Sequence, residues 1–376
     1  MRKSFVYRLY PNKEQNSKLS KVLDTARDVY NSALTERKYA YRSQHKSLNY
    51  YDQASELKEL RQSIPEVAQL NCSATQDMLR RLDKTFKSFY SGNTGFPRFK
   101  SRNRFNSITY PTYGDGIKIK NDRLYILNVG LIKIRMHRLL DGDIRTVTIK
   151  QDCDKWYVCF SNVVGIQPLP KSDKELGIDM GIESFAITSD NEFIESPHYL
   201  KKSLRKLRVA QRKVSRKKRG SKNRKKAVKL LTRQHLKIRN QRKDFAHKLS
   251  RKIVNDYGFI SVEDLQIRNM VKNHHLAQSI SDAGWGMFLN LLSYKAEWAG
   301  RTFVKVNPNG TSQSCSRCGN TVPKYLIVRI HSCPYCNLVI HRDLNSAFNI
   351  LTLGRSVWDL TWNSGSCVSQ EAINKS

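Results

Sequence analysis

The sequence predicts an α/β domain that follows a small antiparallel β-barrel, with a helical segment inserted into the barrel's chain. Three observations lead there. Apolar residues alternate with basic or polar ones in short runs between about residues 105 and 164. Helical spacing with few Gly or Pro fills the stretch from about 13 to 90. Beyond about 170 the order reads strand, strand, long helices, strand, helix, strand and helix, an α/β succession.

Each element follows from its residues. Phe5-Val6-Tyr7-Arg8-Leu9-Tyr10 reads as a strand ending at Pro11, free to join the barrel across the helical insertion. Ile117-Lys118-Ile119-Lys120, Leu131-Ile132-Lys133-Ile134-Arg135 and Thr146-Val147-Thr148-Ile149-Lys150 carry the period-two pattern of half-buried strands. Asn121-Asp122 and Asp141-Gly142-Asp143 are turn formers between them, and Pro168-Leu169-Pro170-Lys171 marks a domain boundary near 170. Residues 201 to 252 hold 24 Lys or Arg and one acid, Asp244, yet Leu231, Ile238, Phe245, Leu249 and Ile253 recur at helical intervals, so a helical hairpin turning near Gly220-Ser221 is expected. The stretch after about 354 is rich in Ser and Asn and reads as a tail with little order.

A chain of 376 residues with 39% hydrophobic residues is long enough for two or three domains of roughly 150 residues each. Its 67 Lys and Arg against 32 Asp and Glu leave a formal charge of +35 and an isoelectric point near 10.0, which calls for a polyanionic partner. Nucleic acid fits this better than a membrane surface, because no apolar run of about 18 residues and no clean amphipathic anchor stands out. Arg8 interrupts the apolar block that a secretory signal would need, so a cytoplasmic location is expected. The basic run at 201 to 252 has two readings, a solvated charged face and a phosphate-binding surface; Arg205, Arg208, Arg212, Lys213, Arg216 and Lys217 are its foremost candidates for phosphate contact.

Eight cysteines are too few and too uneven for a disulfide framework. Four of them form two pairs, Cys315-Ser316-Arg317-Cys318 and Cys333-Pro334-Tyr335-Cys336, separated by fourteen residues. Two such turns present four thiolates at about 2.3 Å to one tetrahedral Zn²⁺, whereas a redox dithiol needs a single pair. Four sulfur ligands leave no open position for water, so this metal is structural.

Metal-assisted phosphodiester cleavage requires carboxylates that converge on two Mg²⁺ ions about 3.5 to 4 Å apart. Asp179 lies in an apolar stretch between Gly177 and Gly181, Glu263 directly follows the apolar Phe259-Ile260-Ser261-Val262, and Asp343 opens a helical pattern after the second cysteine pair. Each also has a plainer reading: a turn former, a strand-end surface acid and a first-turn acid complementing a helix dipole. An acid in an apolar strand is costly unless it is paired or bound to metal.

Taken together, Gly177-Ile178-Asp179-Met180-Gly181, Val262-Glu263-Asp264-Leu265 and Arg342-Asp343-Leu344-Asn345 around a four-cysteine insertion resemble the three acidic blocks of a RuvC-type, RNase H-like nuclease domain. Their order resembles the TnpB family of transposon-encoded relatives of type V CRISPR effectors. Phe5 to Pro11, Gly95-Phe96-Pro97-Arg98-Phe99, Ser279 to Gly286 and Thr311-Ser312-Gln313 extend the likeness over nearly the whole chain. The resemblance implies a wedge-type barrel from residues 1–12 and 91–170 and a helical recognition insertion at 13–90. It further implies a RuvC domain at 171–310 and 337–353 that includes the basic hairpin, and a zinc-ribbon insertion at 311–336; residues 354–376 remain as the tail. Carried over residue by residue, Asp179, Glu263 and Asp343 become Mg²⁺ ligands, and Arg329 a group for the scissile phosphate, with an ordinary surface cation as its alternative reading. Two positions depart from the family pattern: His341 stands where an acid is usual, and Asn337 where Gly is common.

The activity implied is RNA-guided, Mg²⁺-dependent DNA cleavage, in which a guide RNA pairs with one strand of duplex DNA and the protein reads a short adjacent motif. Gln76, in the helical insertion, carries an amide that could pair with adenine; a solvent-facing helix residue is the other reading. An RNA-guided DNA-binding repressor that has lost cleavage is the alternative, and loss of one acid would be its sign; all three are present. A guide-independent resolvase would need neither the barrel nor the helical insertion.

Overall fold

The computed structural model describes residues 1–166, 168–325 and 328–363. The chain divides into two compact units, Met1–Gly165 and Ile166–Ser376.

The first unit opens with strand β1 (Arg2–Tyr10), continues through helices α1 (Lys13–Gln44), α2 (Tyr50–Ser55), α3 (Leu57–Ser63), α4 (Pro65–Ala68) and α5 (Cys72–Tyr90), and closes with six strands. These are β2 (Ser107–Tyr110), β3 (Ile117–Lys120), β4 (Arg123–Ile126), β5 (Gly130–Arg135), β6 (Asp143–Asp152) and β7 (Lys155–Val163). They form one antiparallel, nearly closed barrel in the order β2-β6-β7-β1-β5-β4-β3, so the first strand does pair across the helical insertion. Period two fixes its faces: Phe5, Tyr7 and Leu9 are buried with Trp156, Val158 and Phe160 of β7, while Val6 between them is exposed. Asn121 and Asp122 both take positive φ in the turn between β3 and β4, the backbone that tight hairpins demand. Asn12 caps α1 in a reciprocal capping box with Gln15, and Asn16 on that helix accepts a 2.7 Å hydrogen bond from the Trp156 indole.

The second unit holds a five-stranded sheet of β8 (Glu175–Met180), β9 (Ser184–Thr188), β10 (Phe193–Glu195), β11 (Phe259–Glu263) and β12 (Thr302–Val306), ordered β10-β9-β8-β11-β12. β9 is antiparallel to both of its neighbours, β8 and β10, whereas β8, β11 and β12 run parallel. The connection from the first three strands to β11 is the basic hairpin, α6 (Tyr199–Ser215) and α7 (Lys222–Asp256). Gly220 turns it in the left-handed region, and the Ser221 hydroxyl accepts from the Arg224 N–H to start α7. Asp282, buried and lying between β11 and β12 in the sequence, accepts from the Leu200 and Lys201 N–H groups at the start of α6 and from Arg242 of α7 at 2.8 Å, so one carboxylate fixes the hairpin's base.

After β11 come α8 (Ile267–Met270), α9 (His274–Ala283) and α10 (Trp285–Trp298); after β12, a short hairpin of β13 (Ile330–Ser332) and β14 (Val339–His341) precedes α11 (Arg342–Asn363). Leu176, Ile178, Met180, Ile260 and Val262 turn one face of the sheet into a core with residues of α7 and α10. The alternate positions face α11, where Gly177 lets the helix lie close: a Cβ there would stand 2.1 Å from the Ala347 carbonyl oxygen. Gly354 does the same from the helix side against Ser261. The segment 354–363, expected as tail, is instead helix that continues α11, joined to the sheet at Gly354 against Ser261 and by Arg355, which pairs with Glu175; residues 364–376 of that tail lie outside the described residues. Among the described residues no helix is long and apolar enough to cross a membrane.

Candidate active site

Period two also places the acids. Asp179 is two positions after Gly177 in β8, and Glu263 two positions after Ser261 in β11, so both point to the face that α11 covers. Ile178 pairs with Val262 in the parallel ladder, which sets Asp179 beside Glu263 on strands about 4.8 Å apart. Asp343 is the second residue of α11 and reaches the same end of these strands. The three acids are close enough to act on one another. Burial, then the Glu263 and Asp343 charges, push the Asp179 carboxyl well above the usual carboxylate range, against the opposing pull of Arg342 and the Met180 N–H. Burial likewise raises Glu263; its hydrogen bond from Thr311 works the other way, and Asp343 adds to the rise.

A buried cluster of this charge favours a divalent cation, which would relieve the desolvation and the mutual repulsion together. The acids are spaced more widely than a single-ion cage: among the described residues only the four cysteines bring three or more ligand atoms within 4.8 Å of one another.

Two arginines border Asp343. Arg342 is largely buried; its Nε donates to Asp343 Oδ1 at 3.1 Å and its guanidinium also reaches the Val328 carbonyl at 3.3 Å. Arg329, half exposed, lies 3.6 Å from Asp343 Oδ2 and 3.0 Å from Glu183. The departure at His341 has a local account: its Nδ1 accepts the Asp343 N–H at 3.3 Å, a helix-start bond that an acid would also make.

The four cysteines lie together. Cys315 and Cys336 sulfurs are 3.5 Å apart and those of Cys318 and Cys333 3.6 Å, near the roughly 3.8 Å edge of a tetrahedron with bonds of about 2.3 Å. Burial opposes ionisation of Cys315, but the N–H groups of Cys318 and Arg317 with His331 and Cys336 bring its thiol down to about 5; burial instead carries Cys336 up to about 12. Four thiolates at this spacing need a cation to share, and a zinc ion suits the donor set. Gly319 and Asn337 close the two turns at φ of 77° and 57°, and Asn is among the residues that tolerate this region best, which explains how it replaces Gly. Cys333 and Cys336 lie in the turn between β13 and β14, which pair from Ile330 with His341 to Ser332 with Val339.

The other expected residues lie on other elements. Arg205, Arg208, Arg212, Lys213, Arg216 and Lys217 are all exposed on α6 and its C-terminal turn. Gln76 is half-buried on α5, in the first unit. Sequence reasoning missed Arg342, and it missed Thr311, Asn345 and Asn349, which join the zinc loop to α11. The Asn345 amide donates to the Ser314 carbonyl at 2.7 Å and accepts from the Ser316 N–H, and Asn349 donates to the Thr311 and Ser314 carbonyls. Their i, i+4 spacing in the third acidic block was the available signal.

Family models match three stretches: one described as "Probable transposase" at residues 148–274, a "Cas12f1-like, TNB domain" at 285–350 and a "Helix-turn-helix domain" at 1–46. In this chain 1–46 forms β1 and the single long helix α1. A Streptomyces pristinaespiralis protein named "Putative RNA-guided DNA endonuclease" is 34% identical over 362 residues, covering 94% of this chain and 90% of that protein. An Escherichia coli (strain K12) protein of the same name, InsQ, is 29% identical, covering 94% and 92%. Among solved structures, the protein in a Cas12f1–sgRNA–target DNA complex has the same fold, with a TM-score of 0.59 at 16% identity over 93% of this chain and 98% of that one. The 34% identity to the Streptomyces protein along nearly the full length of both chains, with TnpB-like proteins among the further relatives, means that the chain belongs to the TnpB family.

Proposed function

We propose that the protein is an RNA-guided DNA endonuclease of transposon origin that hydrolyses phosphodiesters at a RuvC-type centre made by Asp179, Glu263 and Asp343. The observation that carries this reading is the apposition of Asp179 and Glu263 on adjacent parallel strands beneath the first turn of α11, which brings in Asp343. The β10-β9-β8-β11-β12 order supports an RNase H-like assignment, and the names of the full-length relatives support the activity.

Asp179, Glu263 and Asp343 would hold two Mg²⁺ ions, which supply charge stabilisation for the attacking and leaving oxygens. Arg342 orients Asp343 by occupying Oδ1. Arg329, held among the described residues by one exposed and one shared carboxylate, would exchange them for the scissile phosphate. Arg205, Arg208, Arg212, Lys213, Arg216 and Lys217 hold phosphates of the guide RNA or its DNA partner. Residues 311–336 form a zinc ribbon around one structural Zn²⁺; the barrel, formed from 1–12 and 91–170, is the wedge, and the helices of 13–90, with Gln76, meet the motif beside the target. Base pairing with the guide selects the DNA strand, in the cytoplasm beside the nucleoid.

The test is plasmid cleavage with Mg²⁺ by the protein copurified with its RNA, compared with Asp179→Ala. Loss of cutting in the variant is expected. Equal cutting by both overturns the centre, and cutting that survives removal of the RNA overturns the guide.

A further inference from the structure

We infer that Thr311 is the positioning residue for the Glu263 carboxylate, and that the four-cysteine element acts on the acidic centre through it. This rests on the nuclease reading above. Glu263 ends β11 with its side chain buried, only 8% of the residue exposed, and its one side-chain hydrogen bond among the described residues comes from Thr311 Oγ1 to Oε1 at 2.7 Å. A carboxylate with two rotatable bonds beyond Cβ, anchored at one oxygen, has fewer orientations open to its other oxygen, the one left for a metal ion shared with Asp179 and Asp343. Thr311 is itself held. It is 4% exposed, Asn349 donates to its carbonyl at 2.8 Å, and its hydroxyl also lies 3.0 Å from the Pro308 carbonyl.

The same loop leads four residues on to the first zinc ligand. Asn345, fully buried, and Asn349 both donate to the Ser314 carbonyl, and Asn345 accepts from the Ser316 N–H on the other side of Cys315. The Cys315 N–H donates in turn to the Asn320 carbonyl within the first cysteine turn. A continuous set of hydrogen bonds therefore runs from the cysteine turn, through two amides of α11, to Thr311 and Glu263. The metal site fixes the loop, and the loop fixes the acid.

The experiment uses the full chain loaded with its RNA and reads Mn²⁺ affinity by calorimetry, alongside zinc content, melting temperature and plasmid cutting. Thr311→Val keeps the shape and removes the hydroxyl; it is expected to weaken Mn²⁺ binding about 10- to 100-fold, the usual range for loss of a ligand's supporting partner, with zinc content retained. Thr311→Ser restores the affinity. Asn349→Ala weakens it in the same direction, and Thr311→Val/Asn349→Ala is no weaker than Thr311→Val alone, since both act along one line of contacts. Thr311→Val with parental Mn²⁺ affinity overturns the proposal, as does full additivity in the double variant. Glu263→Gln separates the two readings: if it too leaves Mn²⁺ affinity and cutting unchanged, the acidic centre itself is wrong.

Discussion

Replacing Gly177 with alanine would put a Cβ 2.1 Å from the Ala347 carbonyl oxygen and 2.9 Å from the Leu351 N and Cβ. The nearest of these atoms belongs to the backbone of α11, so no side-chain rotation relieves the clash. To regain even 3.0 Å the helix must retreat from β8 by about 0.9 Å, and Asp343 travels with its first turn. Overpacking of this kind costs about 1–3 kcal/mol of stability, which a domain can survive. The effect on chemistry is larger, because a misplacement of about 1 Å costs about 100-fold where reacting groups must be aligned. Plasmid cleavage by the RNA-loaded Gly177→Ala protein should therefore fall about 100-fold while the protein still melts cooperatively. Gly165→Ala, whose Cβ meets nothing within 4 Å, is the control. Cutting within about threefold of the parent, despite a lowered melting temperature, would refute the idea that the seating of α11 on β8 sets the acid geometry.

Two further outcomes follow from charge. Because burial and neighbouring acids raise Asp179, the metal-free folded chain keeps a proton that the unfolded chain releases near pH 4, and stability falls as pH rises from there toward the raised value. Asp179→Asn should melt above the parent in chelator at pH 8, with the gap closing toward pH 4; a gap independent of pH contradicts the assignment. Arg208→Gln with Arg212→Gln removes two exposed cations one helical turn apart, and should lower the slope of log affinity for the guide RNA against log salt by about 1.4, at roughly 0.7 per lost contact. An unchanged slope in filter binding across a salt series excludes that face of α6 from the RNA.

Much of this centre is legible in one dimension. Asp179 and Glu263 betray themselves as acids set in or at the end of apolar strands, where an unpaired carboxylate is expensive, and two CxxC pairs announce their metal by spacing alone. The partners that hold them are not legible in this way. Thr311 lies 48 residues from the Glu263 that it touches, and although Thr311-Ser312-Gln313 stands out as a motif, its residues do not say which acid the hydroxyl meets. Arg342 reads as one more cation in a chain of +35 until folding buries it against Asp343. The end of α11 was hidden for another reason. Residues 354–363 lack a strong apolar pattern, and their helix is held where Gly354 fits against Ser261, a contact of close approach rather than of hydrophobic area.

The basic hairpin is also the covalent link that makes β8 and β11 parallel. Strands joined side by side in one direction need a crossover of about a dozen residues or more, and here that crossover is the most cationic stretch of the chain. The stretch proposed to hold nucleic-acid phosphates and the stretch that sets Asp179 beside Glu263 are thus a single piece of polypeptide. Shortening such a protein is therefore constrained from within: the tip around Gly220 can be trimmed in whole helical turns, but the base, tied by Asp282 to α6 and α7, has to stay for the two acids to remain neighbours.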